Sequence, residues 1–473
     1  MDVSVISIEN IKPWSVEHEF KPFKLCLLDQ LMASTYSPLV LFYPMNSSST
    51  DRHEKEVVAR RLKASLSKTL NPFYPVSGRV KDNLIIHDFQ QGVPFTKARV
   101  KGNRLFDFLA SPPNLGFLHN LLPSEPFCLA PHRHHHHPLL AVQLNTFDCG
   151  GIALGLNMYH KLMDGATTSA FLRTWAANCN VGDPAGSSTT LLKNQPELRK
   201  PSSVFHPRDP VLVDQCQKAM ESMIFPDVHP GGQKATTRRF VFDKNAITSL
   251  RARARSSNVT NPTRLEALSA FFWEAALKAS TTTTPGERQQ KLQCFMQSVN
   301  LRSLMSPRLS NNSVGNLVTT ALASCKDIGN NVTMKELVGL LREGMAGIVD
   351  EKYINAISDA EHGFEAMLEG GKLLGECGSG EIMTCSSWIG FGTNNYDFGW
   401  GKPLWTGLYG DPTGDHPYAN NFLVFKELGA RVRENSNAAI EAWIRLDEDV
   451  MAVLEHDPHF IQYVSPNPPI ILN

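Results

Sequence analysis

The pattern of apolar and polar residues predicts alternating strands and helices. Residues 51–70 place apolar side chains at helical spacing and charges on the opposite face, which predicts an amphipathic helix. Short apolar runs at residues 139–147 and 152–159 predict two strands joined by a hairpin turn. Residues 166–177 return to helical spacing. This alternation is typical of a layered α/β or α+β fold.

A segment of different composition follows these elements. Residues 178–210 are rich in Gly, Pro, Ser, Thr and Asn and lack periodicity, so they are predicted to form a loop or crossover. So long a connection is unusual inside a compact domain and favours a link between two domains. At 473 residues the chain is also too long for one ordinary core. We therefore divide it into residues 1–210 and 211–473, with the boundary near residue 215.

The second half resumes the alternation without an internal sequence repeat. Strands are predicted at residues 237–242, 292–300 and 383–388, and helices at residues 244–256, 263–279, 333–349 and 354–374. Gly363, Gly370 and Gly371 interrupt the last of these helices. Two domains of similar size, each combining strands and helices, are expected.

Composition and charge exclude several classes of function. Lys plus Arg equals Asp plus Glu at 46 each, so no overall field attracts nucleic acid or an anionic membrane. No segment approaches the roughly 20 apolar residues that span a bilayer, and the acidic first residues do not resemble a secretory signal. Nine scattered cysteines without a Cys-x-x-Cys pair favour free thiols. A cytoplasmic protein with no nucleic-acid or membrane partner is expected.

Candidate chemistry is concentrated where a predicted strand meets a helix. His160 ends the strand at residues 152–159, and Asp164 and Gly165 stand where the next helix needs a cap or tight turn. A histidine held between two rigid elements can face a cleft and receive a proton. Asp164 can cap the helix or pair with a distant cation without touching a substrate. Alone, His-x-x-x-Asp-Gly is short enough to arise by chance as a turn before a helix.

A second, rarer motif lies far downstream. It consists of Asp397, Phe398, Gly399, Trp400 and Gly401. In this order and separation the two motifs resemble those of the plant BAHD acyltransferases, which use acyl-CoA donors. Residues 71–79, 239–243 and 297–302 are similar to further family segments in family order, so the resemblance spans essentially the whole chain. It is closest to the vinorine synthase-like branch of specialised-metabolite acetyltransferases.

The resemblance implies a fold and a reaction. The implied fold is chloramphenicol acetyltransferase-like, with two domains of mixed sheets and flanking helices joined by a long crossover loop. The implied reaction moves an acyl group, with acetyl-CoA preferred, to a hydroxyl of a plant specialised metabolite such as an alkaloid or terpenoid. His160 would act as general base on the attacking hydroxyl, without a covalent enzyme intermediate. Acyl-CoA would be a cosubstrate, no cofactor would be bound permanently, and a monomer is expected.

Most other motif residues are expected to be structural. The resemblance implies that Asp164 pairs with an arginine and fixes the loop that presents the histidine, and Arg302 is the candidate partner. Gly165 and residues 397–401 are assigned the same kind of role. For Trp400 a functional interpretation stays open, in which its indole N–H lies near the oxyanion or borders the CoA channel.

Candidate CoA contacts rest on charge and placement alone. Thr263 and Ser269 lie at or near the start of a predicted helix, and Lys402 directly follows residue 401. The pair Arg238 and Arg239 is a further candidate for phosphate binding. Side chains of these types are more often ordinary surface residues, and this is the expectation for each of them taken singly.

Three alternatives to O-acylation stay open. N-acylation of an amine would use the same base, and a catalytically silent family member would only bind a hydrophobic metabolite. A metal-dependent hydrolase could be built on the histidine run at residues 132–137, since imidazole is a common ligand. That run is contiguous and lacks a cysteine or carboxylate at set spacing, so we expect a surface loop and no metal.

Overall fold

Two large sheets with flanking helices form the framework of the protein. The computed structural model describes residues 2–14, 20–45, 52–102, 104–124, 137–180, 195–224, 235–283, 292–326, 332–377, 382–410, 421–429 and 439–470. The strands are β1 (Asp2–Ile11), β2 (Phe23–Lys24), β3 (Tyr36–Tyr43), β4 (Arg79–Lys81), β5 (Ile85–His87), β6 (Val93–Lys101), β7 (Leu140–Phe147), β8 (Ile152–Tyr159), β9 (Ala235–Phe242), β10 (Gln293–Asn300), β11 (Val318–Cys325), β12 (Ile382–Ser387), β13 (Trp405–Gly407), β14 (Phe422–Glu427), β15 (Ile440–Asp447) and β16 (Ser465–Pro466).

The helices lie on these sheets and in the connections between them. They are α1 (Leu27–Leu31), α2 (Arg52–Thr69), α3 (Leu105–Ala110), α4 (Gly165–Cys179), α5 (Lys200–Val204), α6 (Pro210–Ile224), α7 (Lys244–Arg253), α8 (Arg264–Thr283), α9 (Met334–Val349), α10 (Glu351–Ile357), α11 (Gly363–Gly375), α12 (Glu448–His456) and α13 (Pro458–Ile461). Among the helices described here, none combines the length and apolar character needed to cross a bilayer.

Both large sheets are mixed, as predicted. The first has the strand order β1-β6-β7-β8-β3-β13, in which only β6 and β7 are parallel neighbours. The second has the order β11-β10-β12-β14-β15-β9-β16, with β12 parallel to both of its neighbours. A small third sheet has the order β2-β5-β4. The predicted combination of mixed sheets with flanking helices is therefore confirmed.

The core of the first sheet explains its sequence pattern. Every residue of β8 is buried, which is why this strand is mostly apolar, with Asn157 as its one polar side chain besides the Tyr159 hydroxyl. Helix α2 packs against α4, and the apolar face of α2 is fully buried at Leu62 and Leu66. The indole N–H of Trp175 in α4 donates to the carbonyl oxygen of Leu62 at 3.2 Å. The strand that ends at residue 159 and the helix that follows it are thus held rigidly.

The segment predicted to be a loop, residues 178–210, contains one short helix, α5, and α6 begins at its last residue. Residues 181–194 lie outside the described part of the chain. Helix α6 packs against α1 and buries the polar residues Gln217 and Glu221 on its inner side. Because polar residues occupy buried positions of α6, the apolar periodicity that predicts a helix is weak in this segment. Residue 215, where the boundary was placed, lies inside α6.

One further expectation from the sequence is confirmed in part, and one is wrong. The helix predicted at residues 354–374 is interrupted before Gly363, as this glycine indicates, and is divided into α10 and α11. At Gly363, where α11 begins, an added Cβ would lie 2.6 Å from the carbonyl oxygen of Ile357, so the break requires glycine. The cysteines are not all thiols, because Cys294 of β10 and Cys377 are joined by a disulfide.

One short strand connects the two halves of the chain. β13 follows the second motif in sequence but pairs with β3 of the first sheet. The carboxylate of Glu441 on β15 accepts hydrogen bonds from the indoles of Trp405 in β13 and Trp443 in β15, at 3.0 and 3.1 Å. Burial raises the pKa of Glu441, but the buried cations Arg239 and Lys426 outweigh it and lower this pKa to about 2. Glu441 therefore links the two sheets as a carboxylate.

Candidate active site

His160 lies immediately after β8, in the turn that leads into α4. Strands β7 and β3 pair with β8 along its length, so the position of its last residue is fixed. The backbone N–H of His160 donates to the carbonyl oxygen of Thr35 at 2.8 Å. The residue itself is half-buried. It is therefore held by the sheet and still partly accessible.

The orientation and tautomer of the imidazole are set by Asn316. Nδ2 of Asn316 donates to the carbonyl oxygen of His160 at 2.6 Å and to Oδ1 of Asp29 at 3.1 Å. Both partners are acceptors, so the amide oxygen must face the imidazole, where it lies 3.0 Å from Nδ1. Nδ1 must then carry the proton. The lone pair of the neutral ring is consequently on Nε2.

Burial controls the protonation state of this site. It lowers the pKa of His160 below the ordinary value of 6.5, although hydrogen bonds to its own carbonyl and to Asn316, and the charge of Asp164, oppose the shift. Burial raises the pKa of Asp29 to about 6, against the backbone N–H groups of Asn316 and Cys26 that donate to it. At neutral pH the imidazole is thus an uncharged proton acceptor, and Asp29 is a carboxylate that orients Asn316.

Substituting Asn316 by alanine is expected to lower kcat roughly fivefold, because losing one buried hydrogen bond is worth about 1 kcal/mol. Without the amide oxygen, the ring is free to rotate and to place its proton on Nε2. KM for the acyl donor should change little. Steady-state kinetics beside an Asn355→Ala control, altered at a surface position of α10, would test this. Unchanged kcat would show that Asn316 does not set the tautomer.

Asp164 is buried and pairs with Arg302. Its Oδ2 lies 2.7 Å from Nη1 of Arg302, and its Oδ1 lies 3.2 Å from Nη2, a bidentate ion pair with almost no exposed surface. Oδ1 also caps α4 by accepting the N–H of Thr167 at 2.7 Å. Arg302 donates in addition to the carbonyl oxygens of Ser313 and Gly315 at 2.8 and 3.0 Å. The structure therefore brings Asp164 and Arg302 together, next to the loop that carries Asn316.

Gly165 begins α4 at a point of close approach. An added Cβ would lie 2.4 Å from the ring of Phe391. The carbonyl oxygen of Phe391 also accepts a hydrogen bond from Ser169 at 2.7 Å. Only glycine lets the segment before the second motif pack this closely on the start of the helix.

The second motif forms a tight turn at the opposite end of α4. Oδ1 of Asp397 accepts the N–H groups of Gly399 and Gly401 at 2.7 and 2.9 Å, and both glycines have positive φ angles of 98° and 96°. Phe398 is fully buried, with its ring centroid 5.1 Å from that of Trp175. This arrangement favours the structural interpretation of the motif.

Trp400 packs too far along α4 to meet an oxyanion at His160. Its ring stacks on Phe398 with centroids 5.8 Å apart, and Arg61 lies 5.3 Å from the ring centroid. A helix rises ~1.5 Å per residue, so the two ends of α4 are roughly 20 Å apart. The indole N–H is buried and makes no hydrogen bond to any residue that the structure describes.

The candidate CoA contacts have different local environments. Thr263 and Glu266 form a capping box at the start of α8, with Oγ1 of Thr263 accepting the N–H of Glu266 at 3.1 Å. Ser269 has no exposed surface, and this burial argues against direct contact with CoA. Lys402 donates to Oδ1 of Asn395 at 2.9 Å and remains exposed.

The arginine pair does not form the predicted phosphate site. Arg239 is buried and lies 3.1 Å from Glu441, while Nε of Arg238 lies 2.6 Å from Oε1 of Glu455. Both guanidinium groups are thus engaged by carboxylates. Alternation along β9 turns the two side chains to opposite faces, which separates them.

The histidine run lies mostly beyond the described residues. Residues 132–136 are not described, and His137 places its ring against Tyr36 and Tyr159, with centroids 6.5 and 6.1 Å away. Within the described ranges, no three His, Cys, Asp or Glu side chains converge in a metal-binding arrangement.

Comparison with known proteins gives consistent matches over the full chain. The sequence model that describes the transferase family matches residues 1–461 of this chain. Akuammiline synthase 2 from Alstonia scholaris is 33% identical over 485 residues, covering 100% of this chain and 99% of that protein. Limonoid 7-O-acetyltransferase from Citrus sinensis is 32% identical over 482 residues and 99% of both chains.

The fold matches as well. The crystal structure of vinorine synthase superposes with a TM-score of 0.76 at 26% identity, covering 99% of this chain and 100% of that one. This likeness confirms the predicted two-domain, chloramphenicol acetyltransferase-like architecture. Because sequence and structure match along the whole length, through both the His160 turn and the turn at residues 397–401, the chain is an acyltransferase of the BAHD family, which uses acyl-CoA donors.

Proposed function

We propose that the protein transfers an acetyl group from acetyl-CoA to a hydroxyl group of a plant specialised metabolite, an alkaloid or a terpenoid. The observation that carries this proposal is the half-buried, neutral His160, whose proton is held on Nδ1 by Asn316. The name of the limonoid relative supports acetyl as the transferred group and oxygen as its acceptor.

The reaction follows from where the lone pair lies. Nε2 of His160 removes the proton of the acceptor hydroxyl as its oxygen attacks the thioester carbonyl. The C–O bond forms, the C–S bond of the tetrahedral intermediate breaks, and the imidazolium returns the proton to the departing thiolate. The ester and free CoA are released, so His160 ends in its starting form and no acyl-enzyme is needed.

The supporting residues act on His160 and not on the substrate. Asp164 and Arg302 fix the start of α4 and the loop before Asn316, while Asp397 closes the turn that packs against the other end of α4. Since Phe398 and Trp400 lie at that far end, their substitution should affect stability before it affects chemistry.

We also propose that the enzyme works as a cytosolic monomer. The equal numbers of acidic and basic residues give no overall field for a charged surface. Cys294 and Cys377 form a disulfide, but Cys26, Cys179 and Cys385 are buried thiols, and unpaired thiols suit a reducing compartment. Size-exclusion chromatography with light scattering would detect a stable oligomer.

The direct test is release of CoA thiol by the purified protein. Acetyl-CoA is supplied with a pooled extract of plant alcohols and amines, and the product is identified by mass spectrometry. Thiol release that requires both extract and protein, with an acetyl ester as product, is expected. An amide product would replace O-acylation by N-acylation. If no thiol is released with acetyl-, malonyl-, benzoyl- or hydroxycinnamoyl-CoA, the result would favour a binding protein without catalytic activity.

Activity should persist at mildly acidic pH. A general base works in its deprotonated form, and burial lowers the pKa of His160 from 6.5. As pH falls from 8, kcat/KM should therefore stay constant to about 6.5, and decrease only when pH falls through the lowered pKa. The pH dependence of kcat/KM with saturating donor measures this. A decrease that begins above pH 7 would show that another group is the base.

A further inference from the structure

A buried polar cluster lies next to the His160 turn. Lys161 has no exposed surface. Its Nζ donates to the carbonyl oxygen of Gln30 at 2.8 Å, to Oδ1 of Asn83 at 3.0 Å and to Oε1 of Gln217 at 2.6 Å. One ammonium group therefore satisfies three buried acceptors directly after the proposed base.

These three acceptors belong to segments that are distant in sequence. Gln30 is in α1, and Asn83 is in the turn between β4 and β5. Gln217 is in α6 and follows Lys161 by 56 residues. Nδ2 of Asn83 also donates to the carbonyl oxygen of Gln30 at 3.0 Å and to Oδ1 of Asp214 in α6 at 2.8 Å. Lys161 thus joins α1 and α6 at the start of the catalytic turn.

The first connection from the cluster reaches the backbone of His160. Nε2 of Gln217 donates to Oγ of Ser34 at 3.1 Å, and Oε1 of Glu221 accepts the N–H of Ser34 at 2.9 Å. The next residue, Thr35, accepts the N–H of His160. Helix α6 therefore fixes the segment on which the His160 backbone rests.

The second connection reaches the imidazole ring. Gln30, whose carbonyl Lys161 binds, directly follows Asp29 in α1. Oδ1 of Asp29 accepts both the N–H of Asn316 at 2.7 Å and its side-chain amide at 3.1 Å. The position of α1 thereby determines where Asn316 presents its oxygen to Nδ1 of His160.

Retaining a cation here costs stability. Burial lowers the pKa of Lys161 from 10.5 to about 7, although Glu221, Asp214 and Asp29 act in the opposite direction. Between pH 7 and 10.5 the unfolded chain binds more protons than the folded one, so the contribution of this group to folding becomes more favourable as pH rises. The fold therefore keeps Lys161 next to His160 although burial disfavours its charged form.

We propose that Lys161 is a positioning residue of the acyl-transfer site, holding α1 and α6 so that the backbone and ring of His160 keep the geometry of a base. The proposal rests on the proposed role of His160. Without the amino group of Lys161, both connections loosen while the substrate-binding surfaces are unchanged. The effect should therefore fall on kcat and not on KM.

The test compares Lys161→Met and Lys161→Gln with Lys63→Met, a control altered in the surface ion pair with Glu9. In Lys161→Met the carbonyl of Gln30 and Oε1 of Gln217 keep Asn83 as a donor, so folding should survive. We expect kcat for acetyl transfer to fall roughly tenfold with KM for acetyl-CoA unchanged. Lys161→Gln, which restores a donor, should lose less.

The outcomes separate the two proposals. Wild-type kcat in a folded Lys161→Met protein, or in a folded Lys161→Gln protein if the first does not fold, would overturn the positioning role. A loss confined to KM would also overturn it. If His160→Ala is inactive while both Lys161 variants are fully active, only the positioning proposal fails. If His160→Ala keeps full activity, the proposed function fails first.

Discussion

Replacing His160 by alanine should lower kcat by roughly 10²–10⁴-fold, the usual contribution of a positioned general base. The backbone N–H to Thr35 is retained, so the turn and the pairing of β8 should persist. Loss of the ring removes the basic nitrogen that would accept the hydroxyl proton, and direct attack then requires a weaker base. CoA thiol release at saturating acetyl-CoA and acceptor measures the change.

The control for this substitution is another histidine. His362→Ala removes an imidazole whose side chain is 75% exposed, and it should leave kcat unchanged. Circular dichroism and thermal unfolding must show that His160→Ala is folded. His160→Gln, which keeps a polar side chain of similar size but no basic nitrogen, should be as slow as the alanine variant. Activity near that of the wild type in either folded variant would eliminate His160 as the base.

The order of secondary structure could be predicted because each element follows one simple periodicity. The strand predicted at residues 152–159 is β8 without change, since a strand buried on both faces is a short, mostly apolar run. The helix predicted at residues 333–349 is α9, which begins with a capping box between Thr333 and Glu336. Helices and strands with an apolar buried face can therefore be predicted from the sequence.

The helices that the sequence pattern does not predict are those whose buried face carries polar residues. Helix α6 places Gln217 and Glu221 toward α1, where an apolar pattern would have been expected. The pairing of β13 with β3 of the first sheet could not be predicted either, because pairing between strands of different halves leaves no local sequence pattern. Local periodicity predicts what an element is and does not predict its distant partners.

The same limit applies to the active site. His160, Asp164 and Arg302 could be named from motifs, and the structure brings the last two together. Asn316 and Asp29 could not be named from the sequence, because they are 287 residues apart in the chain and neither belongs to one of the motifs. A buried acid in a short helix and an asparagine before a strand carry no sequence signal for orienting a histidine. The tautomer of the base is therefore a property that only the fold reveals.

Breaking the ion pair between Asp164 and Arg302 should destabilise the protein by about 3–5 kcal/mol, because removing one member leaves a buried charge uncompensated. Arg302→Met would leave the Asp164 carboxylate with only the N–H groups of Thr167 and Leu317. The free energy of unfolding from urea denaturation measures this. In a double-mutant cycle with Asp164→Asn, we expect a coupling energy of roughly 0.5–3 kcal/mol.

A surface ion pair provides the matched control. Nε of Arg99 lies 2.9 Å from Oδ1 of Asp148, a distance similar to that in the buried pair, but the two side chains are 55% and 42% exposed. Arg99→Met should therefore cost at most about 1 kcal/mol. If Arg302→Met cost no more than Arg99→Met, the buried pair would not be holding the fold.

Activity then separates a structural Asp164 from a catalytic one. Asp164→Asn keeps an oxygen that can cap α4, and it leaves Nε2 of His160 untouched. Assayed well below its melting temperature, this variant should therefore retain more activity than His160→Ala. Its remaining loss should come from displacement of residues 313–317, which Arg302 and Asp164 hold through Ser313, Gly315 and Leu317. A folded Asp164→Asn protein as inactive as His160→Ala would mean that the carboxylate acts on the imidazole directly, and that the ion pair is not its main role.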